Sequence, residues 1–413
     1  MTYVLTGILS LPILLLIFIN LFPHAGLKNK WLFTFPIYSV SALSYILLLS
    51  RIILPNPNFY RELIFKWLPI NMSYLQLSFS INNQILILFA AFSTIFALKI
   101  LFYYKDGYSI SSDKSHLSMI HQNNITYGFF ISGLILLFSN SLLLFFVSQL
   151  ILSGIIVYQH IYFISNSDRP SNGSLYFIWL IVFDLLFFLA ILYINSELKS
   201  LSVTDIQGAI QDGGFSSNIH TISGFLIIFS IIGKTAQIPF HKWFIADSQS
   251  QQSKPISNSS VEIIIISMIL LLKLESLLSP NMMSFLLFFG FLSSILAVIS
   301  SIVNTQKSLM MKYLLITQGG IFLIVFGSGL TSASLVFIIT FGFANLFLMF
   351  CSQCLQTDNS RSNPVKPAMK KTLTWVFLFA AISVAGLPVT SVFIPRFILL
   401  QNLLFKATSN SLY

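Results

Sequence analysis

Residues 233–243 read Gly233-Lys234-Thr235-Ala236-Gln237-Ile238-Pro239-Phe240-His241-Lys242-Trp243. The eleven residues before Lys234 are mostly apolar, so this lysine falls inside a hydrophobic span. An ionisable group at bilayer depth costs at least ~2.5–3.5 kcal/mol on insertion scales, which makes it a functional residue by default. Pro239 cannot donate into a helical ladder, so the span over 218–240 is expected to break near Lys234–Pro239. Such breaks persist in a membrane only where protein or water satisfies the freed backbone groups. Lys234 is therefore expected to point into protein and to handle a proton. A lysine that snorkels to the interface is the alternative.

Working outward, the whole chain has this character. Of 413 residues, 56% are hydrophobic and 8% charged, against roughly 25% charged in a soluble domain. Apolar runs long enough to cross a bilayer fall at 3–22, 32–54, 81–104, 125–140, 142–165, 175–195, 218–240, 258–279, 282–303, 310–328, 331–355 and 372–404. Alternating the loops between two sides puts fourteen Lys and Arg on one side, Lys312 among them, and six on the other. By the positive-inside rule the basic side is the matrix or cytoplasm, and Met1 lies opposite. The net charge of +10 is spread over these loops with no basic, aromatic-interleaved stretch, which argues against nucleic acid. Trp67-Leu68-Pro69, in the loop 56–80, is expected at the interface. The 42 phenylalanines match the bias of an AT-rich organellar genome, an association only.

Few other ionisable residues lie at depth. Asp184, in the sixth span, reads as a structural partner for a cation or a backbone group. Arg396, in the twelfth, stays protonated and is a poor proton carrier, so it reads as a structural or lipid-facing residue, or as a fixed charge that tunes a neighbouring lysine. His241 is either an interfacial histidine or a step on a proton path. His220, Lys273 and Glu275 fall near span ends. Gln149 interrupts the fifth span and cannot titrate. Cys351 and Cys354 form a C-x-x-C, but two ligands do not make a zinc site, and the pair reads as filler within an apolar run.

These residues carry a resemblance. Gly233–Trp243 resembles the G-K-S-A-Q-x-P-x-H-x-W signature of the antiporter-like subunits of respiratory complex I. Chain 5 of the NADH–ubiquinone oxidoreductases is the nearest form, with chain 2 the runner-up. Asn140-Ser-Leu-Leu-Leu-Phe-Phe-Val-Ser-Gln149 resembles N-x-L-x-M-F-x-G-W-E, and Asp184 falls on the Asp of V-G-D-F. Lys312-Tyr313 through Gln318-Gly319 resembles A-Y-S-T-x-S-Q-L-G, and Gly386-Leu-Pro with Arg396 resembles G-x-P…S-K. The departures are as informative. The family's fifth-helix glutamate is Gln149, its eighth-helix histidine falls near Val261, and its eleventh-helix H-x-x-x-H-A-F-F-K becomes Phe337, Phe341 and Asn345. Its twelfth-helix lysine is Arg396. The family continues beyond the twelfth span, so either a separate chain supplies that part or the complex lacks it.

The resemblance implies an all-α integral membrane fold of about twelve helices, antiporter-like, with inverted repeats and broken seventh and twelfth helices. Residues 1–124 would hold the first three helices, 125–279 a first repeat and 280–413 a second, incomplete one. It implies a multi-pass subunit of the mitochondrial inner membrane, partnered by other membrane-arm subunits and lipids such as cardiolipin. This chain would hold no cofactor itself; NADH, FMN, iron–sulfur clusters and ubiquinone belong to the complex. Lys234, His241, Asp184 and Arg396 are the proton-path residues that the resemblance marks. With the other family positions neutral, the expectation is a subunit whose own pumping is weakened or lost. A fully pumping subunit and a cation/proton antiporter relative outside complex I are the alternatives. No phosphate-binding loop, metal cluster or nucleophile triad suggests a soluble enzyme.

Overall fold

A computed structural model describes residues 30–53, 61–66, 76–105, 113–165, 173–245, 259–358, 367–388 and 390–410, with residues 12 and 14 singly. Most of the expected span 3–22, Trp67–Pro69, residues 106–112 and residues 359–366 lie outside the described residues, and the helix of the fourth expected span, 125–140, begins earlier, at Asp113. The helices are α1 (Lys30–Ile53), α2 (Asn83–Lys105), α3 (Asp113–Phe138), α4 (Leu142–Ser165), α5 (Gly173–Leu198), α6 (Val203–Gln211), α7 (Ser217–Lys234), α8 (Lys242–Ile245), α9 (Ser259–Lys273), α10 (Pro280–Val303), α11 (Lys307–Gly327), α12 (Thr331–Asp358), α13 (Pro367–Ala385) and α14 (Phe393–Asn410). Among the described residues, seven of these are long and apolar enough to cross a bilayer, and three more carry shorter apolar stretches. The protein is a multi-pass, helical membrane protein.

Two features modify the sequence expectation, and a third, the broken twelfth span, bears it out. Strands β1 (Arg61–Lys66) and β2 (Gln76–Ile81) pair antiparallel from Arg61↔Ile81 to Lys66↔Gln76. The alternation of Leu77, Phe79 and Ile81 with Ser78 and Ser80 has the two-residue period of a strand. Helix α6 lies between the expected spans 175–195 and 218–240, with Ser200 Oγ donating to Asp205 Oδ2 at 2.6 Å beside its first turn. The run 372–404 is two long helices, α13 and α14, because Gly386 turns the chain out of the first with φ +76°.

The chain divides into two compact units. One comprises residues 1–168 and 184–223, the other residues 169–183 and 224–413. The first unit has an aromatic core. Phe92, Phe96 and Phe130 lie with ring centroids 4.8–6.0 Å apart, a spacing at which offset and edge contacts add to burial. Gly133 makes room for Phe92, whose ring lies 2.1 Å from where a Cβ would stand. The turn between α3 and α4 is tied to the approach to α6 by two backbone bonds, Leu142 N to Leu201 O and Val203 N to Asn140 O, both 2.9 Å.

The second unit is built on a close pair, α10 and α11. A Cβ on Gly290 would lie 2.6 Å from Gly320 O, and one on Gly327 would lie 2.6 Å from Leu287 N. Small residues let backbones meet where lipid offers no hydrophobic gradient. Helix α10 accordingly buries Gly290, Ser293, Ala297 and Ser301, while Phe288, Phe291, Ile295 and Ile302 point outward. That is the reverse of a water-soluble helix.

Candidate functional site

The site begins where α7 stops. Lys234 is its last residue and is 1% exposed. Ala236 takes the left-handed conformation, φ +54°. Ala236 N then donates to Gly233 O at 3.1 Å and Gln237 N to Ile232 O at 3.2 Å, the pairing of a Schellman C-cap. The remaining freed groups are met by side chains. Trp243 Nε1 donates to Gly233 O at 3.1 Å, and Thr235 Oγ1 lies 3.0 Å from Ile231 O. Gln237 Nε2 donates to Thr235 O at 3.0 Å, Ser293 Oγ donates to Gln237 Oε1 at 2.8 Å, and Ile238 N donates to Ser293 Oγ at 3.1 Å. The Gln237 amide lies against Gly319 of α11, where a Cβ would come within 2.5 Å. Helix seven is thus broken as expected, and Lys234 is buried in protein. A cation at a helix C-terminus is favoured by the macrodipole.

Beyond the break, His241 is half-buried, its Nε2 lying 3.4 Å from Tyr313 OH. Lys312 is 3% exposed and donates to Phe244 O at 2.5 Å. Sequence reading placed Lys312 in a basic loop; it is instead inside α11 and buried, a correction to that assignment.

The second break, between α13 and α14, uses the same cap. Gly386 N donates to Ser383 O at 3.0 Å and Leu387 N to Ile382 O at 3.4 Å. Arg396, from α14, reaches back with Nη1 to Ala385 O at 2.7 Å and Nη2 to Val384 O at 3.0 Å. The guanidinium stands where a Cβ on Gly386 would be, 2.2 Å away. Arg396 therefore serves this junction as a cap, a structural use of a group that does not give up its proton.

The onward positions are neutral. Asn345 Nδ2 donates to Gln318 Oε1 at 3.1 Å and to Phe341 O at 2.8 Å, and Gln318 Nε2 lies 3.4 Å from Asn345 Oδ1. Phe322, Phe337 and Phe341 stack beside this amide pair at 5.9 and 6.3 Å, all buried. Val261 is buried in α9, and the next residue, Glu262, is wholly buried. Glu262 was passed over in the sequence although a carboxylate four residues into an expected span was the available signal. Lys273 and Glu275 are partly exposed at the other end of that segment.

In the first unit, Gln149 and Asp184 are both buried. Ser153 Oγ donates to Asp184 Oδ2 at 2.6 Å, with Gln149 O at 3.0 Å as its other acceptor. The carboxylate is thus presented one turn along α4 from Gln149. The structure brings together His241 with Tyr313, Asn345 with Gln318, Phe337 with Phe341, and Asp184 with Ser153. Among the described residues, the hydrogen bonds of Arg396 go to the backbone carbonyls of Val384 and Ala385. Cys351 and Cys354 are both buried. Among the described residues, no three His, Cys, Asp or Glu side chains converge as a metal site.

The profile of the NADH:quinone oxidoreductase/Mrp antiporter transmembrane family matches residues 139–411, and the chain belongs to that family. No curated protein sequence matches it. Among solved structures it is similar to a chain of the membrane-bound sulfane sulfur reductase, an archaeal respiratory membrane complex. That likeness has a TM-score of 0.77 and 12% identity, covering 97% of this chain and 81% of the other. It is also similar to a chain of the Mrp complex from Dietzia sp. DQ12-45-1b, with a TM-score of 0.72 and 11% identity, covering 98% and 75%. The fold is that of the antiporter-like subunits of multi-subunit membrane complexes.

Proposed function

We propose that this chain is a membrane-arm subunit of a proton-pumping NADH:ubiquinone oxidoreductase, closest to chain 5, in the mitochondrial inner membrane, and that its own proton route is interrupted. The buried Gln318–Asn345 pair under the Phe322–Phe337–Phe341 stack carries this reading. A relay needs groups whose protonation swings as a neighbour's charge changes. Carboxamides do not titrate in that range, and the phenyl rings beside them offer no group that could take up or release a proton. Lys234 and His241 would hold protons on one side of this plug, and Asp184 with Ser153 would stand as a buried acidic group of the first unit. Redox chemistry and its cofactors would belong to partner subunits, with neighbouring membrane-arm chains and lipids such as cardiolipin against the outward apolar faces.

The test is purification through a tag on this chain. An NADH-oxidising arm should co-purify, and the proton-to-electron ratio of the reconstituted complex should barely change with Lys234→Ala. The likeness to an Mrp complex chain favours a second reading, a cation/proton antiporter relative. That reading gains if no NADH oxidation co-purifies and a sodium gradient drives proton movement in vesicles.

A further inference from the structure

Lys312 is a buried charge that the proton-path reading leaves unused. Its Nζ donates to Phe244 O at 2.5 Å and stands 5.3 Å from the centroid of the Phe244 ring. Both partners suit an ammonium: a carbonyl only accepts, and a ring face attracts a cation. Phe244 belongs to α8, a single turn whose terminal carbonyls have no partner within the helix. One turn fixes several dihedrals for one or two hydrogen bonds and does not hold itself. The next residue of α11, Tyr313, places its OH 3.4 Å from His241 Nε2. His241 O in turn accepts from Phe244 N at 3.0 Å and Ile245 N at 3.3 Å. Two successive residues of α11 thus grip both ends of α8.

We infer that Lys312 is a positioning residue whose ammonium latches α8 to α11 and so holds His241 against Tyr313. The latch is specific to this chain's chemistry: Lys312 stands where the resembled motif has an alanine, which could neither donate nor carry charge. An apolar packing role for the same side chain makes a different forecast, because methionine fills nearly the same volume without the donor.

The test is hydrogen–deuterium exchange in the assembled complex in lipid nanodiscs, read at the Phe244 and Ile245 amides with the α10 peptide as internal reference. Lys312→Met should speed exchange at these two amides at least tenfold without changing α10. Lys312→Arg, which keeps charge and donors, should stay within twofold of the native rate. Native-like exchange in Lys312→Met overturns the inference, as does exchange in Lys312→Arg as fast as in Lys312→Met. If Lys312→Met does not assemble, Lys312→Gln is read instead, with several-fold faster exchange expected and a native rate overturning the latch. The readout is local to α8 and involves no proton flux, so a pumping subunit and a non-pumping one give the same answer.

Discussion

Consider alanine at Gly290 and at Gly320, singly and together. On Gly290 the new Cβ would meet Gly320 O at 2.6 Å and Leu323 Cβ at 2.8 Å; on Gly320 it would meet Gly290 O at 2.8 Å and Ser294 Cβ at 2.9 Å. Most of these obstacles are backbone or Cβ atoms and cannot rotate away. Ordinary contact begins at 3.4 Å, so α10 and α11 must separate by about 0.8 Å, a gap that forfeits a quarter to a half of the dispersion well along the seam. Each substitution should cost about 1–3 kcal/mol. Once the first alanine has parted the helices, the second meets less resistance. The double variant should therefore fall short of the sum by about 1 kcal/mol or more. The same separation would stretch the 2.8 Å Ser293–Gln237 bond towards about 3.6 Å, where it ceases to be one, so damage to the seam reaches the break beside Lys234. The assay is thermal unfolding in detergent with a thiol-reactive dye, using the buried Cys351 and Cys354 as reporters. Apparent Tm should drop by a few degrees for each single variant and by less than their sum for the pair. Strict additivity, or no change at all, would refute the backbone-contact reasoning.

Other substitutions test the site. Ala236→Gly should raise apparent Tm slightly, by about 0.5–1 kcal/mol of net stability, because glycine relieves the left-handed strain at the cost of unfolded-chain freedom. Asn345→Leu should cost about 1–3 kcal/mol by orphaning Gln318, whereas the Gln318→Leu/Asn345→Leu pair should recover most of that loss; a double variant worse than the single one would sink the amide-pair account. Lys234→Ala should assemble with modest loss and lower the proton-to-electron ratio by less than one subunit's share. A full share lost would mean that a relay passes the aromatic plug.

Much of the architecture was legible because lipid imposes a simple rule, that apolar length means a span. The run 142–165 coincides with α4, and the glycine–lysine–proline spacing marked the break in helix seven. What escaped was whatever depends on three-dimensional neighbours. Lys312 sits five residues into α11, close enough to a loop to be counted with surface cations, and its burial against the Phe244 carbonyl and ring depends on the fold. Glu262 sits near the start of its span, where a carboxylate could equally reach the interface, and only the packing of α9 shows that it is wholly buried. A structural role for Arg396 was among the readings open in the sequence, but its partners, the Val384 and Ala385 carbonyls of the preceding helix, were not. Sequence gives the residue types at a break; which side chain caps which carbonyl is decided by the fold-back.

The indole of Trp243 closes the first break by donating to Gly233 O, one residue from the buried lysine. A hydrogen-bonded, buried indole is also a spectroscopic antenna. Its emission shifts with the field and the hydration around it, so a chain keeping Trp243 as its single tryptophan would report charge at Lys234 and opening of the break without any label. The residue that satisfies an orphan carbonyl thus gives the experimenter an optical view of whether the site is dry, charged or moving.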